Sequence, residues 1–494
     1  MSLDTTAAAA GGGGGGAGGA GGGGGKGVSR RVLVGLASVL VSTQFAWSIQ
    51  TAFATTLFKQ LGARQRDLGY LRVPGPLTGL LVQPAAGSLS DELGYKRRPR
   101  LILSATVLCG IGFVLLPLGV HSKSIWLVFT GCCFFDVGFN AADALVRVLA
   151  ADVTPKQQLP LANSIVSSAL GCGQLLGFVA SSIGSFHLDT VFGKKGGNTS
   201  LVFACSFGLV LLVLCDSFFV SACRKFPERS LDQQRSEDYS LIGEEDNLLS
   251  EPAKLQDASS SSSSSGSRPK KSTSAAKLVR HFATRFFLLP RWMYKLCLMN
   301  GLVWIGWFCF IFFAPDFIGI FINGGDPHAP KNSEQFKKYD LAQQQFSMSS
   351  AISSVLMIAM GPCIPFLVEK IGIHKLMAAS AMALALVLFI ASNVLGRGSA
   401  GACVFLFSLI GVPWAVTMSI PYTVVSILGQ ESERGFLMGV LNIFVVLPSF
   451  LVLLMVGVTN MRSNHIFDVG SAMAGMASFA WVFHRIHPNI ESIG

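Results

Sequence analysis

Long apolar runs separated by short polar segments dominate this chain. A helix needs roughly 20 apolar residues to cross the hydrocarbon of a bilayer, and twelve such windows can be marked. Six lie at about 32–57, 68–89, 100–120, 125–151, 159–186 and 200–223. Six more lie at about 293–322, 343–368, 375–395, 400–428, 435–458 and 467–485. Between the two sets runs a polar stretch containing "DASSSSSSSGSRPKKSTS", which has no apolar periodicity around which to fold. The opening "AAAAGGGGGGAGGAGGGGGKG" is equally without a packing face. The pattern predicts an all-α polytopic membrane protein with twelve transmembrane helices in two six-helix bundles. Its parts are a glycine-rich tail over 1–30, a bundle over 31–223, a disordered linker over 224–290, a second bundle over 291–486 and a short tail over 487–494.

Composition agrees: 51% of the 494 residues are hydrophobic and only 13% charged, against about 25% charged in soluble proteins. The net charge of +11 does not require nucleic acid, because membrane proteins gather Lys and Arg in their inner loops. Arg30 and Arg31 precede the first span, and "YKRRPR", "VEKIGIHK" and the linker add to the same side. An even number of spans puts both termini and the linker there. That side is expected to be cytoplasmic, with the first span as an uncleaved anchor. Lys194, Lys195, Lys337 and Lys338 fall on the other side. All eleven cysteines lie in or beside apolar runs without zinc-ligand spacing, which predicts buried thiols, no disulfide framework and no metal site. No nucleophile–base constellation or phosphate loop is visible, so neither an enzyme nor a cofactor is expected.

The two halves echo one another. "SDELGYKRR" (Ser90–Arg98) follows the second span and "VEKIGIHK" (Val368–Lys375) follows the eighth, with Asp91, Gly94 and Lys96 answered by Glu369, Gly372 and His374. Such a repeat predicts two related bundles facing each other.

The fourth span carries "FFDVGFNAADALVRVLAADV". Its Asp136, Asn140, Asp143 and Arg147 stand at i, i+4, i+7 and i+11, one stripe on one helix face. Asp143 and Arg147 are an i,i+4 pair able to meet. At 1.5 Å of rise per residue, Asp136 falls near mid-membrane and Arg147 near the inner interface. A central charge costs about 2.5–3.5 kcal/mol on insertion scales, so Asp136 must face a cavity or a partner. Arg147 either faces the same cavity or snorkels to the headgroups. Gln44 and Gln50 in the first span, Asn300 in the seventh, and Thr417 and Ser419 in the tenth are further polar residues at depth. Trp47, Trp304, Trp307 and Trp414 fall on the same spans and offer flat faces for stacking.

"GSLSDELGYKRR" (Gly87–Arg98) resembles the loop signature of the major facilitator superfamily. There the acid caps a neighbouring helix and the basic residues lock a cytoplasmic gate; the resemblance assigns that role to Asp91, Lys96 and Arg97, and to Glu369 in the repeat. Several longer stretches resemble a narrower group, the sucrose transporters of plants and their animal relatives, within the glycoside-pentoside-hexuronide:cation symporters. They are "QFAWSIQ" (Gln44–Gln50), "GPLTGLLVQPAAGSLSD" (Gly75–Asp91), "WIGWFCFIFFAPDFIGIFINGGDP" (Trp304–Pro327) and "GVPWAVTMSIPYTVVSIL" with "GVLNIFVVLP" (Gly411–Pro448). Asp136, Val137, Asn140 and Arg147 fit the group's fourth-span spacing, and Asp316 stands at an acid position of the group. In the superfamily, spans one, four, seven and ten line the central cavity.

The resemblance implies a secondary transporter of a sugar or glycoside. Asp136 would carry the proton, and Gln44, Trp47, Gln50, Asp136, Asn140, Arg147, Asn300, Trp304, Trp307, Trp414 and Thr417 would be candidates for contact with the sugar. Its partners would be the sugar, protons and membrane lipid, with no nucleic acid. Gln65, Gln344 and Gln345 stand where plant members carry ionisable groups, Asp143 departs from the group, and Arg72 replaces an aromatic residue. Sucrose itself, or a hexose, therefore stays open as substrate. So do two other readings: an exporter of another amphiphilic solute by proton antiport, and a non-transporting sugar sensor. "EEDNLL" (Glu244–Leu249) resembles an acidic dileucine signal read by sorting adaptors, which sets a vacuolar or endosomal membrane beside the plasma membrane. "NTS" (Asn198–Ser200) is a glycosylation sequon.

Overall fold

The computed structural model describes residues 28–63, 71, 74–186, 199–225, 285–326, 329–330, 333–430, 433–459, 461–484 and 486. The glycine-rich tail, most of the linker with Glu244–Leu249, Gln65 and Asn198 lie outside the described residues.

In lipid, each backbone N–H and C=O must be satisfied within the protein, so an apolar chain crosses as helices. In the first half these are α1 (Arg30–Gln60), α2 (Pro74–Leu93), α3 (Arg98–His121), α4 (Ile125–Val153), α5 (Leu159–Phe186) and α6 (Thr199–Cys223). The second half holds α7 (Arg291–Asp316), α8 (Glu334–Met360), α9 (Cys363–Ile371), α10 (Ile373–Asn393), α11 (Ala400–Ser408), α12 (Gly411–Leu428), α13 (Arg434–Thr459) and α14 (Ser463–Phe483). α7 runs on as a wider, π-type segment over Phe317–Ile322. α8 and α9 meet at a bend of 61° and form one broken span. α11 and α12 together form the tenth crossing. Six crossings per half result.

Two spans differ from the sequence reading. The second helix, described from Pro74, runs on to Leu93, a turn beyond the expected end at 89. The eighth begins at Glu334, where Ser333 caps it by accepting from the Phe336 N–H at 3.2 Å, and breaks where Gly361 and Pro362 interrupt it. α2 is also less apolar than the ten helices that qualify as spans by length and hydropathy alone. The reason is its surroundings: Gly79, Gln83, Pro84, Gly87 and Ser90 form a buried face against protein rather than lipid. Small residues on such a face let helix backbones approach.

The halves repeat one plan. α2 packs on α13 and α5 packs on α8 and α12, while α3 with α4 and α10 with α14 pack within their own halves. The turn after α2 uses Gly94 at φ +76°, and the turn after α9 uses Gly372 at φ +83°. This left-handed backbone favours glycine, and its recurrence makes the sequence echo a structural one. The eleven cysteines are free thiols, Cys363 alone exposed.

Candidate functional site

The stripe on α4 is buried along its length: Asp136, Asn140, Asp143 and Arg147 all face protein. Asp136 is 3% exposed, and Gln50 of α1 donates from Nε2 to its Oδ2 at 3.0 Å. Gly75 of α2 faces the same carboxylate, so that a Cβ built there would stand 3.7 Å from each oxygen. The side-chain oxygen of Gln50 is buried and has no hydrogen-bond partner among the described residues.

One turn on, Asn140 is held on all sides. Its Oδ1 accepts from Gln83 Nε2 at 2.8 Å, and its Nδ2 donates to Thr78 Oγ1 at 3.2 Å and to the Asp136 carbonyl at 2.8 Å. Both amide hydrogens are engaged, so Asn140 positions α2 against α4. Gln83 and Thr78 escaped the sequence reading. Their signal was a glutamine inside the apolar run "GLLVQP".

The second half holds a cluster of aromatic rings. Trp414 packs edge-on to Trp307 at 4.6 Å and to Trp304 at 5.6 Å between centroids. Trp307 is fully buried and donates from Nε1 to Thr417 Oγ1 at 3.3 Å. Trp307 and Thr417 are thus bonded to each other in the protein interior, Trp304 is also buried, and Trp414 keeps partial exposure. Asn300 is buried one turn before Trp304 on the same helix face, its amide oxygen without a partner. Trp47 and Phe139 face each other at 6.4 Å on the first half and keep partial exposure. Gln44 is buried nearby on α1, and Ser419 is buried in α12 with an unpaired hydroxyl.

Arg147 does not reach headgroups. At 1% exposure, its Nε bonds Asp143 at 2.9 Å, its Nη1 donates to the Met418 carbonyl at 3.0 Å, and its guanidinium lies 3.7 Å over the Tyr422 ring. The i,i+4 pair read from sequence is thus present, and it pins α4 to α12 across the halves. Ser167 adds a bond to the Ala415 carbonyl, and Asn442 donates to the Gly79 carbonyl at 2.8 Å.

Farther toward the end that carries Arg98, ion pairs close the seam. Asp91 accepts from the backbone N–H of Phe436 at 2.9 Å and of Gly435 at 3.3 Å, capping the first turn of α13 from the other half. Its basic partner is Arg98, at 2.9 Å, rather than Lys96 or Arg97, which are exposed. Arg98 sits inside because it opens α3 facing the bundle, whereas the two residues before it lie in a surface turn. Arg98 also pairs with Asp152 at the end of α4, and Asp152 faces Arg434 of α13 at 3.6 Å. Arg98, Asp152 and Arg434 were not singled out in the sequence, because nothing in a single chain tells which of several basic residues turns inward.

The repeat lacks this closure. Glu369 is exposed in a groove of about 890 Å³ with Arg30, Gln157, Pro160 and Phe366. Where α13 offers two backbone N–H groups, α5 begins with Leu159 and Pro160, and proline has no N–H to give. Asp316 ends α7 and accepts from the Tyr339 hydroxyl at 2.6 Å. Gln345 accepts from Asn323 at 2.9 Å and Gln344 is exposed.

Two six-helix halves, sealed together by ion pairs at one end and joined by buried polar bonds along the seam, make a multi-pass membrane transporter. The chain belongs to the Major Facilitator Superfamily, whose family model matches residues 36–453. It is 26% identical over 466 residues to sucrose transport protein SUC4 of Arabidopsis thaliana, covering 86% of this chain and 83% of the relative. It is 27% identical over 467 residues to sucrose transport protein SUT2 of Oryza sativa subsp. indica, covering 86% of each. Its fold is similar to that of the proton:xylose symporter XylE bound to 6-bromo-6-deoxy-D-glucose, with a TM-score of 0.62, 13% identity, and coverage of 94% of this chain and 98% of that one.

Proposed function

We propose that this protein is a secondary active transporter of a sugar or glycoside, coupled to protons moving in the same direction by alternating access. One observation carries the reading: Asp136, a buried carboxylate partway along a span of the first half, held by a neutral amide rather than a cation. A buried acid without a counter-charge among the described residues is well suited to exchange a proton. The tryptophans of the second half supply the apolar faces on which sugar rings stack, and Gln44 and Gln50 supply hydroxyl partners. The names of the sucrose-transporting relatives support the solute class.

The Arg98 end faces the cytoplasm on this reading, with both termini and the linker on that side. The plasma membrane is the proposed host. The seam from Arg147 to Asp91 is then the closed inner gate, and the solute enters from the opposite side. Opening inward requires Asp91 to leave the α13 backbone and Arg434 to leave Asp152. No bond-making chemistry is proposed, and the protein is a carrier rather than an enzyme.

The test is uptake of labelled sugars into proteoliposomes with and without an inward proton gradient. Asp136→Asn keeps an amide where the acid stood, so exchange of sugar continues while gradient-driven accumulation is lost. Unchanged accumulation in Asp136→Asn overturns the coupling role.

A further inference from the structure

Resting on the reading of Asp136 as proton carrier, we infer that Gln50 is a positioning residue that reads the protonation state of Asp136 by rotating its amide. Two facts on one side chain carry this. The Nε2–H of Gln50 donates to Asp136 Oδ2 at 3.0 Å, and the Oε1 of the same amide is buried without a donor. A buried acceptor left unpaired costs free energy.

The present arrangement serves the carboxylate, which only accepts. A proton taken on Oδ2, the oxygen that faces the amide, makes it an O–H donor, and its old contact with the amide N–H becomes donor against donor. Half a turn about the terminal torsion brings Oε1 to the acid O–H and satisfies the orphaned oxygen. Terminal amide torsions are broad and two-fold, so the turn moves no backbone. After it, an NH₂ stands where a carbonyl oxygen stood. Gln50 then presents N–H donors on that side only once Asp136 is protonated.

No charged neighbour competes for the carboxyl group among the described residues. The groups facing it are the thiols of Cys109 on α3 and Cys133 on its own helix, a type of group that ordinarily titrates near pH 8.5, nearly five units above an aspartic acid. On α2 the neighbour is Gly75. Asp143 and Arg147 are paired with each other farther along α4. α5, α12 and α13 bring no titratable side chain to it.

The measurement is infrared difference spectroscopy of the reconstituted, full-length protein across a pH titration, alongside uptake at the same pH values. Asp136→Asn identifies the Asp136 carboxylic C=O band by its disappearance. In the parent protein with side-chain ¹³C-labelled glutamine, a glutamine C=O band moves with the same midpoint as the Asp136 band. In Gln50→Met, which keeps size and removes both hydrogen-bonding roles, that band is gone. The Asp136 C=O band rises in wavenumber because the acid O–H has lost its acceptor. The uptake midpoint shifts upward by about 0.5–1 pH unit, because a charge-assisted bond to the carboxylate is lost along with a weaker one to the acid. A glutamine band that stays fixed while Asp136 titrates, or an Asp136 band and midpoint unchanged in Gln50→Met, overturns the inference even if Asp136 is the proton carrier. A pH dependence of uptake that persists unchanged in Asp136→Asn removes the function reading itself.

Discussion

Arg147 shows what a single side chain is held by. Its guanidinium is planar and has enough N–H groups to bond Asp143 and the Met418 carbonyl while lying flat on Tyr422. Removing one member of a buried ion pair leaves the other charge uncompensated, at about 3–5 kcal/mol. Arg147→Ala is therefore expected to lower thermal stability markedly, and Arg147→Ala with Asp143→Ala to lower it less than the single change. Thermal unfolding in detergent checks both, and a double variant at least as unstable as the single one would contradict the pairing. Lysine, a point charge without a flat face, is expected to rescue only part. The pairing was legible from its i,i+4 spacing. The Tyr422 and Met418 contacts were not, since they lie on a helix more than 270 positions away.

At the scale of elements, the α2–α13 seam depends on missing side chains. A Cβ built on Gly435 would lie 2.5 Å from both Asp91 Oδ1 and the Gly87 carbonyl, and one on Gly439 would lie 2.5 Å from Pro84 Cα. One on Gly87 would run into the Gly435 backbone. Backbone does not yield as a flexible side chain does, and overpacking costs about 1–3 kcal/mol. Gly87→Val is expected to push the population away from the arrangement closed at Arg98, by roughly tenfold or more. Paired spin labels across that end would report longer distances than in the parent; unchanged distances would show that the seam does not set the equilibrium. Asp91→Asn is expected to weaken the same closure by about 1 kcal/mol as the charged cap of α13 is lost. The helices themselves, and the glycine turn at Gly94, were readable from apolar length and motif. Which face of α2 met α13 was not, because a run of Gly, Ala, Ser and Pro has no polar side to mark the lipid.

For the whole molecule, the low-complexity stretch between the halves is expected to be dispensable for turnover. Deleting Asp257–Ser274 removes Ser-rich sequence without an apolar face, and reconstituted protein should transport at the parental rate. A large loss at equal insertion would mean that the linker takes part in the cycle. Selectivity is also a property of the assembled site. Gln65, Gln344 and Gln345 cannot titrate, and Gln345 is already engaged with Asn323. Uptake is therefore expected to follow one dominant ionisation, lost in Asp136→Asn, with a hexose preferred over sucrose. Uptake at stepped pH tests the first part and a labelled sugar panel the second; two separate ionisations, or robust sucrose saturation, would count against them.

The sequence by itself determined the class of molecule. Apolar length makes spans, the glycine turns repeat in each half, and a charge cannot sit in hydrocarbon without a partner, so the α4 stripe had to face inward. These are local or one-dimensional constraints. The tertiary structure alone decided the partners: Gln50 for Asp136, Gln83 and Thr78 for Asn140, Tyr422 for Arg147, and Arg98 rather than Arg97 for Asp91. It also packed Trp307 edge-on to Trp414, and left Glu369 opposite Pro160 in an open groove. Each of these depends on how helices distant in sequence rotate against one another. That rotation is set by close packing of small faces such as Gly79, Gly87 and Gly435, where contacts form over ångströms and no periodicity in one helix records the surface of the other.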